Sequence, residues 1–359
     1  MEDTDTLKIL GYNQYFEGQR IKLGAETGQI ARVIAEHKGA YEVICTAGKY
    51  RATATGRQMS TATGRDDYPA VGDWVVINKD ENEAKIILDT LPRKTTLHKK
   101  YGGSNKPQLI AANIDIVFIV ESIGRDYSLN RFERYLVLAQ EGGVEPVIII
   151  NKADLATNDL INKIIDDIRT RFGEIDALTT STVTNQGLQA LVNYIQEGTT
   201  YSFVGSSGVG KSSLINKLLK QNYIATQTID DKTGRGRHTT TSREMYFTHN
   251  GGIIIDNPGS REVGITDNGA GIDTVFDDID NLASNCRFNN CQHQKEPGCA
   301  IQNAIRTGTL NPLRFENYQK LQKETKHYEQ SSYDKRQKDK KFGEYIKNAK
   351  SELKRHRVK

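Results

Sequence analysis

The order of three short motifs constrains the fold of this 359-residue chain more than any other feature. Asn-Lys-Ala-Asp at 151–154 precedes the glycine-rich octapeptide Gly-Ser-Ser-Gly-Val-Gly-Lys-Ser at 205–212, and Asp-Asn-Pro-Gly follows at 256–259. The first motif is typical of guanine recognition, the second of a phosphate-binding P-loop, and the third of a loop that holds Mg²⁺ and senses a γ-phosphate. In ordinary GTPases the P-loop comes first, so this order predicts a circularly permuted GTPase domain.

The P-loop motif lies in the sequence context that its chemistry requires. Backbone N–H groups must wrap the phosphates, which demands small residues at the turn. An apolar strand is predicted over 201–204 and an amphipathic helix over 213–219, so a chance glycine-rich turn is disfavoured. We expect Lys211 to reach the β- and γ-phosphates and the Ser212 hydroxyl to bind Mg²⁺. The predicted phosphate-binding residues are Gly205, Ser206, Ser207, Gly208, Val209, Gly210, Lys211, Ser212 and Ser213.

The guanine motif follows an apolar run at 147–150 that indicates a buried parallel strand. Ligands of such sheets bind at the carboxyl ends of the strands. The Asp154 carboxylate can accept two N–H bonds from guanine, whereas adenine would leave it unpaired, and sites of this type discriminate by about 10⁴-fold or more. The predicted guanine-binding residues are Asn151, Lys152, Ala153 and Asp154. Ser181 ends another strand-like segment and is either a backbone-mediated guanine contact or a plain strand end.

The segments around the third motif predict the Mg²⁺ site and a switch. Asp256 follows the apolar residues 253–255, and we expect it to hold the Mg²⁺ shell while the Gly259 N–H senses the γ-phosphate. The glycine-rich stretch 233–241 ends in three threonines and suits a switch loop that closes a hydroxyl onto Mg²⁺. Sequence does not decide among the three, and Thr240 is the one that we favour.

The water-positioning group is the least defined part of the predicted site. Ser260 stands where Ras-like GTPases have a glutamine that orients water, and it is a poor substitute. Either another group takes this role or intrinsic hydrolysis is slow. His238, titratable and within the switch segment, is our catalytic candidate together with Thr240. The alternative is a phosphate-neutralising or solvated loop histidine.

A second constellation lies near the end of the chain. Three of the four cysteines fall within fourteen residues that also contain one histidine. Three thiolates and one imidazole make a closed tetrahedral set, which is typical of structural zinc. A disulfide is the alternative, but no apolar leader is found and a reducing cytoplasm is expected. The predicted zinc ligands are Cys286, Cys291, His293 and Cys299. Cys45, the fourth cysteine, is expected to be a buried thiol.

These motifs together closely resemble the RsgA family, the bacterial ribosome small-subunit-dependent GTPases. The resemblance extends from about residue 20 to 330 and includes Gly-Arg-His-Thr-Thr-Thr at 236–241, Ala-Ala-Asn-Ile-Asp at 111–115 and Val-Gly-Asp-Trp-Val at 71–75. It implies an N-terminal OB-fold, a permuted GTPase domain, a C-terminal zinc domain and a role in late maturation of the 30S subunit. Two residues depart from the family pattern. Asn257 replaces a usual Thr or Ser, and Ser260 replaces a frequently hydrophobic residue.

The predicted architecture is therefore multidomain. An OB-type β-barrel with an N-terminal extension is expected over 1–100, where alternating segments such as 41–45 and 73–78 favour a small antiparallel barrel. A circularly permuted α/β P-loop GTPase domain is expected over 101–272 and a mostly α zinc-binding domain over 273–330. A basic tail follows over 331–359.

The uneven charge bears on partners. The tail carries eleven Lys or Arg and four acidic residues, a net charge of +7, whereas the whole chain is +4. This suits contact with the phosphates of 16S rRNA, with a solvated, partly helical tail as the alternative. Arg51, Arg57 and Arg65 in the barrel could add phosphate contacts or be ordinary surface charge.

Composition and the remaining alternatives complete the expectations. The apolar runs are of strand length, so no membrane partner is expected. We predict a cytoplasmic monomer that uses GTP and GDP with Mg²⁺ and one structural Zn²⁺. The runner-up is an rRNA-binding assembly scaffold that keeps GTP mainly as a structural ligand. An ATP-using P-loop enzyme is disfavoured by the motif at 151–154.

Overall fold

The computed structural model describes residues 2–25, 27–37, 39–56, 64–79, 84–99, 108–124, 127–220, 243–256 and 270–326. The chain divides into two compact units, one of residues 1–99 with 108–264 and the other of residues 100–107 with 265–359. Within the described residues, no helix is both long enough and apolar enough to cross a membrane.

The first unit contains a closed five-stranded barrel, which confirms the predicted OB-type domain. Its strands are β1 (Gln29–His37), β2 (Ala40–Cys45), β3 (Gly48–Ala54), β4 (Trp74–Ile77) and β5 (Lys85–Thr90). Neighbouring strands are antiparallel except for the parallel pair β3–β5, and β1 closes the barrel by pairing with β4. Alternate side chains fill the interior, as the period of two requires. Cys45 is among them and is 2% exposed, as expected.

Two N-terminal helices, α1 (Glu2–Ile9) and α2 (Gln14–Lys22), pack against the barrel. Asn13 caps α2, because its side chain accepts a hydrogen bond from the Tyr15 N–H. Phe16 is buried with its ring centroid 5.9 Å from that of Trp74. The extension is therefore part of the first unit's core.

The α/β domain of the first unit confirms the predicted permuted fold. Its core sheet has the order β10-β9-β8-β11-β13, all parallel, with β12 added antiparallel at the end. β6 and β7 form a separate hairpin. The bounds are β6 (Thr96–Lys99), β7 (Gln108–Ala112), β8 (Ile116–Ser122), α3 (Leu129–Gly142), β9 (Glu145–Asn151), α4 (Asn158–Phe172), β10 (Ala177–Thr179), α5 (Leu188–Tyr194), β11 (Thr200–Val204), α6 (Lys211–Leu219), β12 (Glu244–Phe247) and β13 (Ile253–Asp256).

The barrel and the α/β sheet are continuous. β12 pairs with β13 on one side and with the barrel strand β1 on the other, where Ala35 lies opposite Glu244. Arg32, which is 1% exposed, reinforces this junction from β1. Its guanidinium donates to the carbonyl oxygen of Leu10 at 2.5 Å, to that of Asn113 at 3.1 Å and to Thr200 Oγ1 at 2.8 Å. One side chain thus ties the N-terminal extension, the barrel and β11 together.

The second unit, where it is described, contains helices and the non-helical segment 284–299. Its helices are α7 (Ala270–Val275), α8 (Asp277–Ala283) and α9 (Ala300–Thr307), and residues 312–326 are also helical. α7 and α8 are separated by a break at Phe276, which is fully buried. Arg314 lies over the Phe276 ring at 4.8 Å and pairs with Asp278 at 2.7 Å. The mostly α character predicted for this region is confirmed.

We expect Arg32→Met to lower the free energy of unfolding of the first unit by about 3 kcal/mol or more, because several buried charge-assisted hydrogen bonds are lost and their acceptors are left unpaired. Urea unfolding followed by fluorescence of Trp74, the chain's single tryptophan, measures this. Arg51→Met, at an exposed position of the same barrel, is the matched control and should change stability by less than about 0.5 kcal/mol. Equal effects of the two variants would contradict the role given to Arg32.

Candidate nucleotide-binding site and metal centre

The predicted nucleotide-binding segments meet at one edge of the sheet. Strands β8, β9, β10, β11 and β13 run parallel, so their carboxyl ends share an edge, where ligands of such sheets bind. The guanine motif begins at the end of β9, the P-loop follows β11 and Asp256 ends β13. The fold therefore brings together segments that are up to 105 residues apart in the chain, from 151 to 256.

The side-chain amide of Asn151 joins the guanine motif to the P-loop. Asn151 is fully buried, and its Nδ2 donates to the carbonyl oxygen of Val209 at 2.7 Å. Its Oδ1 accepts a hydrogen bond from Thr180 Oγ1 at 3.0 Å. Both functional ends of the amide are therefore satisfied by two other loops of the site, which fixes the three loops relative to one another.

Asp154 and Ser181 lie together at the predicted base-binding end. The Ser181 hydroxyl donates to Asp154 Oδ1 and itself accepts N–H bonds from Val183 and Thr184, both at 3.2 Å. Ser181 is buried whereas Asp154 is exposed. The serine therefore holds the carboxylate from the protein interior, and the solvent-facing side of the carboxylate is open to a ligand. The Ala153 N–H donates to the Thr180 carbonyl at 3.0 Å and joins the two loops once more.

Close packing around the P-loop requires glycine at two positions. A Cβ added at Gly205 would lie 2.0 Å from the carbonyl oxygen of Val120, and one added at Gly210 would lie 2.2 Å from Asn151 Nδ2. Both glycines have positive φ angles, 140° and 100°, which other residues rarely adopt. Helix α6 begins directly after Gly210, so its N-terminus faces the loop and favours an anion there.

Lys211, the first residue of α6, is held inside the loop. Its Nζ donates to the carbonyl oxygens of Gly205 and Ser206, each at 2.7 Å. Gly205 and Val209 are buried, whereas the other residues of the loop are half-buried, namely Ser206, Ser207, Gly208, Gly210, Lys211, Ser212 and Ser213. The loop thus combines small residues with one ammonium group, as a phosphate-binding loop requires.

Asp256 ends β13 at the same edge and is 8% exposed. Opposite it in β12 lies Glu244. The predicted residues Gly259, His238 and Thr240 lie outside the described residues, as do Asn257 and Ser260. Their assigned roles remain predictions.

Two charged residues beside the P-loop were missed by the sequence analysis. Glu121 is fully buried near the carboxyl end of β8, and the Ser206 hydroxyl donates to its Oε1 at 3.1 Å. Arg131 from α3 also contacts Ser206 Oγ, at 3.3 Å. The available signal was an acidic residue ending an otherwise apolar parallel strand, at the edge where ligands bind.

The predicted metal ligands are brought together in the second unit. The ligand atoms of Cys286, Cys291, His293 and Cys299 all lie within 4.8 Å of one another. His293 Nδ1 is 3.5 Å from the sulfurs of both Cys286 and Cys299, which are 3.9 Å apart. Burial raises the pKa of the Cys286 thiol, but the N–H groups of Ala300 and Ile301 and the neighbouring cysteine thiols lower it, and the net direction is below the usual value.

The loop that carries His293 is shaped around the Glu296 carboxylate. Glu296 accepts backbone N–H bonds from Gln292 and Gln294 at 2.8 Å and from Lys295 at 3.0 Å. These bonds lower the pKa of Glu296. His293 itself has a positive φ of 58°, and its carbonyl accepts a bond from Gln302 Nε2 at 2.6 Å. Backbone contacts therefore aim the imidazole at the thiols.

We expect Asp154→Asn to reduce the preference for GTP over ATP by at least about 100-fold, because an amide cannot accept both guanine N–H bonds and sites of this type discriminate by about 10⁴-fold. Competition of GTP and ATP against a fluorescent GDP derivative measures it. Asp159→Asn, an exposed aspartate five residues later, should leave the preference unchanged. Equal binding of ATP and GTP by the unmodified protein would contradict guanine recognition.

Comparison with known proteins identifies the family. A family model described as RsgA GTPase matches residues 90–266. The chain is 39% identical over 355 residues to the small ribosomal subunit biogenesis GTPase RsgA 2 of Vibrio parahaemolyticus, covering 97% of this chain and 94% of that protein. It is 41% identical over 303 residues to an RsgA 2 of Lactiplantibacillus plantarum, covering 84% of this chain and 85% of the relative.

Two solved structures resemble the chain. YjeQ from Thermotoga maritima matches with a TM-score of 0.60 at 26% identity, covering 83% of this chain and 98% of that one. YloQ, described as a circularly permuted GTPase, matches with a TM-score of 0.59 at 24% identity, covering 84% and 96%, and supports the fold alone. With near-full-length relatives at about 40% identity, the chain belongs to the RsgA GTPase family and is a GTP hydrolase.

Proposed function

We propose that this protein binds the small ribosomal subunit and hydrolyses GTP during late maturation of the 30S subunit. The observation that carries the nucleotide part is the Asn151 amide, which bonds the guanine motif to the P-loop at 2.7 Å. The subunit part is supported by relatives that match nearly the full length and are named small ribosomal subunit biogenesis GTPases. The site and the relatives' names thus support the same activity.

The proposed roles of the site residues rest on their positions where the structure describes them and, for Thr240, Gly259 and His238, on the sequence motifs alone. Asp154, with Ser181 behind it, binds the guanine base of GTP or GDP, and residues 205–213 bind the phosphates. Lys211 neutralises the β- and γ-phosphates. Ser212, Asp256 and Thr240 would hold Mg²⁺, which would supply positive charge against the negative charge that develops on the transferred phosphoryl group. The Gly259 N–H senses the γ-phosphate, and His238 orients the attacking water.

The four-ligand cluster fits one structural zinc ion. Zinc–sulfur bonds of about 2.3 Å and zinc–nitrogen bonds of about 2.0–2.1 Å in a tetrahedron place two sulfurs about 3.8 Å apart and a sulfur and a nitrogen about 3.5 Å apart. The observed separations are 3.9 Å between Cys286 and Cys299 and 3.5 Å from each of them to His293. The Cys291 sulfur lies within 4.8 Å of the other three ligand atoms, so a zinc ion held here would have four protein ligands, as structural zinc sites do.

We propose that the protein binds the small ribosomal subunit through contacts with 16S rRNA. The basic tail at 331–359 and Arg51, Arg57 and Arg65 supply phosphate contacts, whose strength falls as salt rises. We propose a cytoplasmic monomer. We also propose four regions, with the barrel at 1–100, the GTPase domain at 101–272, the zinc domain at 273–330 and the tail at 331–359.

We expect slow GTP turnover by the isolated protein and stimulation by purified 30S subunits of about 10³-fold or more, because GTPases gain such factors when a partner orders a missing catalytic element. His238→Ala should reduce the stimulated rate at least about 10-fold with little change in GTP affinity. His249→Ala, at an exposed histidine in the turn after β12, is the control. If 30S subunits did not raise the GTP turnover of the unmodified protein, the alternative of a scaffold that hardly hydrolyses GTP would be favoured.

We expect Cys291→Ala to lose zinc and nucleotide-dependent binding to 30S subunits while keeping GTP affinity. A structural zinc contributes on the order of 10 kcal/mol to folding a small module, and the cluster belongs to a different compact unit from the nucleotide motifs. Zinc content, GTP affinity and co-sedimentation are measured on the same preparation. Cys45→Ala should retain zinc. If the zinc-free variant still bound subunits tightly with GTP and weakly with GDP, the zinc module would have no part in that switching.

A further inference from the structure

A buried carboxylate lies directly behind the P-loop and none of the motifs accounts for it. Glu121, near the carboxyl end of β8, is 0% exposed. Its Oε1 accepts the Ser206 hydroxyl at 3.1 Å. Placing a carboxylate in a buried position is unfavourable without compensation, so this residue is stabilised by specific neighbours.

Glu121 interacts with the P-loop and with Arg131. Arg131 Nη1 lies 3.6 Å from Glu121 Oε2 and 3.3 Å from Ser206 Oγ. In the part of the chain that the structure describes, Oε2 accepts no hydrogen bond. Burial raises the pKa of Glu121, and Arg131, Ser206 and Lys211 oppose that rise. The carboxylate is thus tied electrostatically to the loop and to its catalytic lysine.

Ser206 connects Glu121 to Lys211. The Ser206 side chain donates to the carboxylate, whereas its backbone carbonyl accepts a 2.7 Å bond from Lys211 Nζ. The position of the Ser206 carbonyl therefore depends on the anchor at its hydroxyl. A P-loop lysine acts on the β- and γ-phosphates, so its placement affects the charge that develops during phosphoryl transfer.

We propose that Glu121 is a positioning residue for GTP hydrolysis, which anchors the Ser206 hydroxyl so that the Ser206 carbonyl holds the Lys211 ammonium in place. This inference rests on the proposed nucleotide site. It assigns Glu121 no contact with GTP. Its effect passes through two hydrogen bonds that the structure contains.

The mechanism predicts an effect on turnover more than on binding. Glu121 contacts the loop at Ser206, through the hydroxyl and the backbone N–H. The base contacts of Asp154 and the N–H groups of the rest of the loop do not depend on these bonds, so most of the ground-state affinity remains. A misplacement of about 1 Å in a catalytic group can cost about 100-fold in rate. Loss of an interaction that matters chiefly in the transition state lowers kcat and leaves KM nearly unchanged.

The experiment measures kcat and KM for GTP, with and without purified 30S subunits, in four variants and a control. Glu121→Ala and Ser206→Ala should each lower kcat by about 10–100-fold with KM changed by less than about threefold. The double variant should lose no more than either single one, because residues that act as a unit are not additive. Glu121→Gln keeps an acceptor oxygen for Ser206 and should stay within about threefold of the unmodified kcat.

The control is Glu133→Ala on α3. Glu133 is also fully buried and pairs with a different arginine, Arg171 of α4, at 2.8 Å. This variant should lose stability and keep kcat. Ser206→Ala leaves the buried carboxylate in place and so gives the result even where Glu121→Ala does not fold.

Three outcomes would overturn the inference. One is a fall in kcat no larger than that of Glu133→Ala, another is a change confined to KM, and the third is additive losses in the double variant. Absence of GTP turnover by the unmodified protein would contradict the proposed function as well, whereas normal turnover with unaffected Glu121→Ala and Ser206→Ala would contradict this inference alone.

Discussion

The buried amide of Asn151 is the interaction on which the nucleotide site depends. It bonds to the carbonyl of Val209 in the P-loop and to Thr180 in the loop after β10. Leaving a buried amide without hydrogen-bond partners costs free energy. Because the partners of Asn151 lie in two other loops, this cost is avoided only when the three loops are packed together. The contact joins residues that are 58 positions apart. Permutation changes the connections between strands, but the adjacency of β9, β8 and β11 in the sheet preserves this bond.

The same sheet extends from the nucleotide edge into the barrel. β12 lies between β13, which ends in Asp256, and β1 of the barrel, so the strand that bears a proposed Mg²⁺ ligand is only one strand away from the barrel wall. Arg32 fixes this junction with hydrogen bonds to three separate segments. The barrel and the α/β sheet are thus joined by strand pairing and by these hydrogen bonds within one compact unit.

The structural features that could be predicted from the sequence are those determined by short contiguous segments. The glycine pattern at 205–210 and the Cys/His spacing at 286–299 follow from local demands, namely backbone space for phosphates and four ligands on one ion. The break at Phe276, the roles of Arg32 and Glu121 and the β1–β12 pairing were not predictable. Each depends on contacts between residues far apart in the chain, or on burial that only the assembled core decides. From the sequence, a single arginine in a strand is expected to be exposed, because the distant residues that accept its hydrogen bonds are not known.

The central claim is that motifs in permuted order build one guanine-nucleotide site. A crystal structure of the full chain with GDP and Mg²⁺ tests it most directly. The account predicts one nucleotide whose guanine N–H groups lie about 3 Å from the Asp154 carboxylate. The β-phosphate of the same nucleotide should accept N–H bonds from residues 208–212, with the Asn151–Val209 bond intact. A nucleotide bound by the P-loop with its base turned away from Asp154 would contradict the claim.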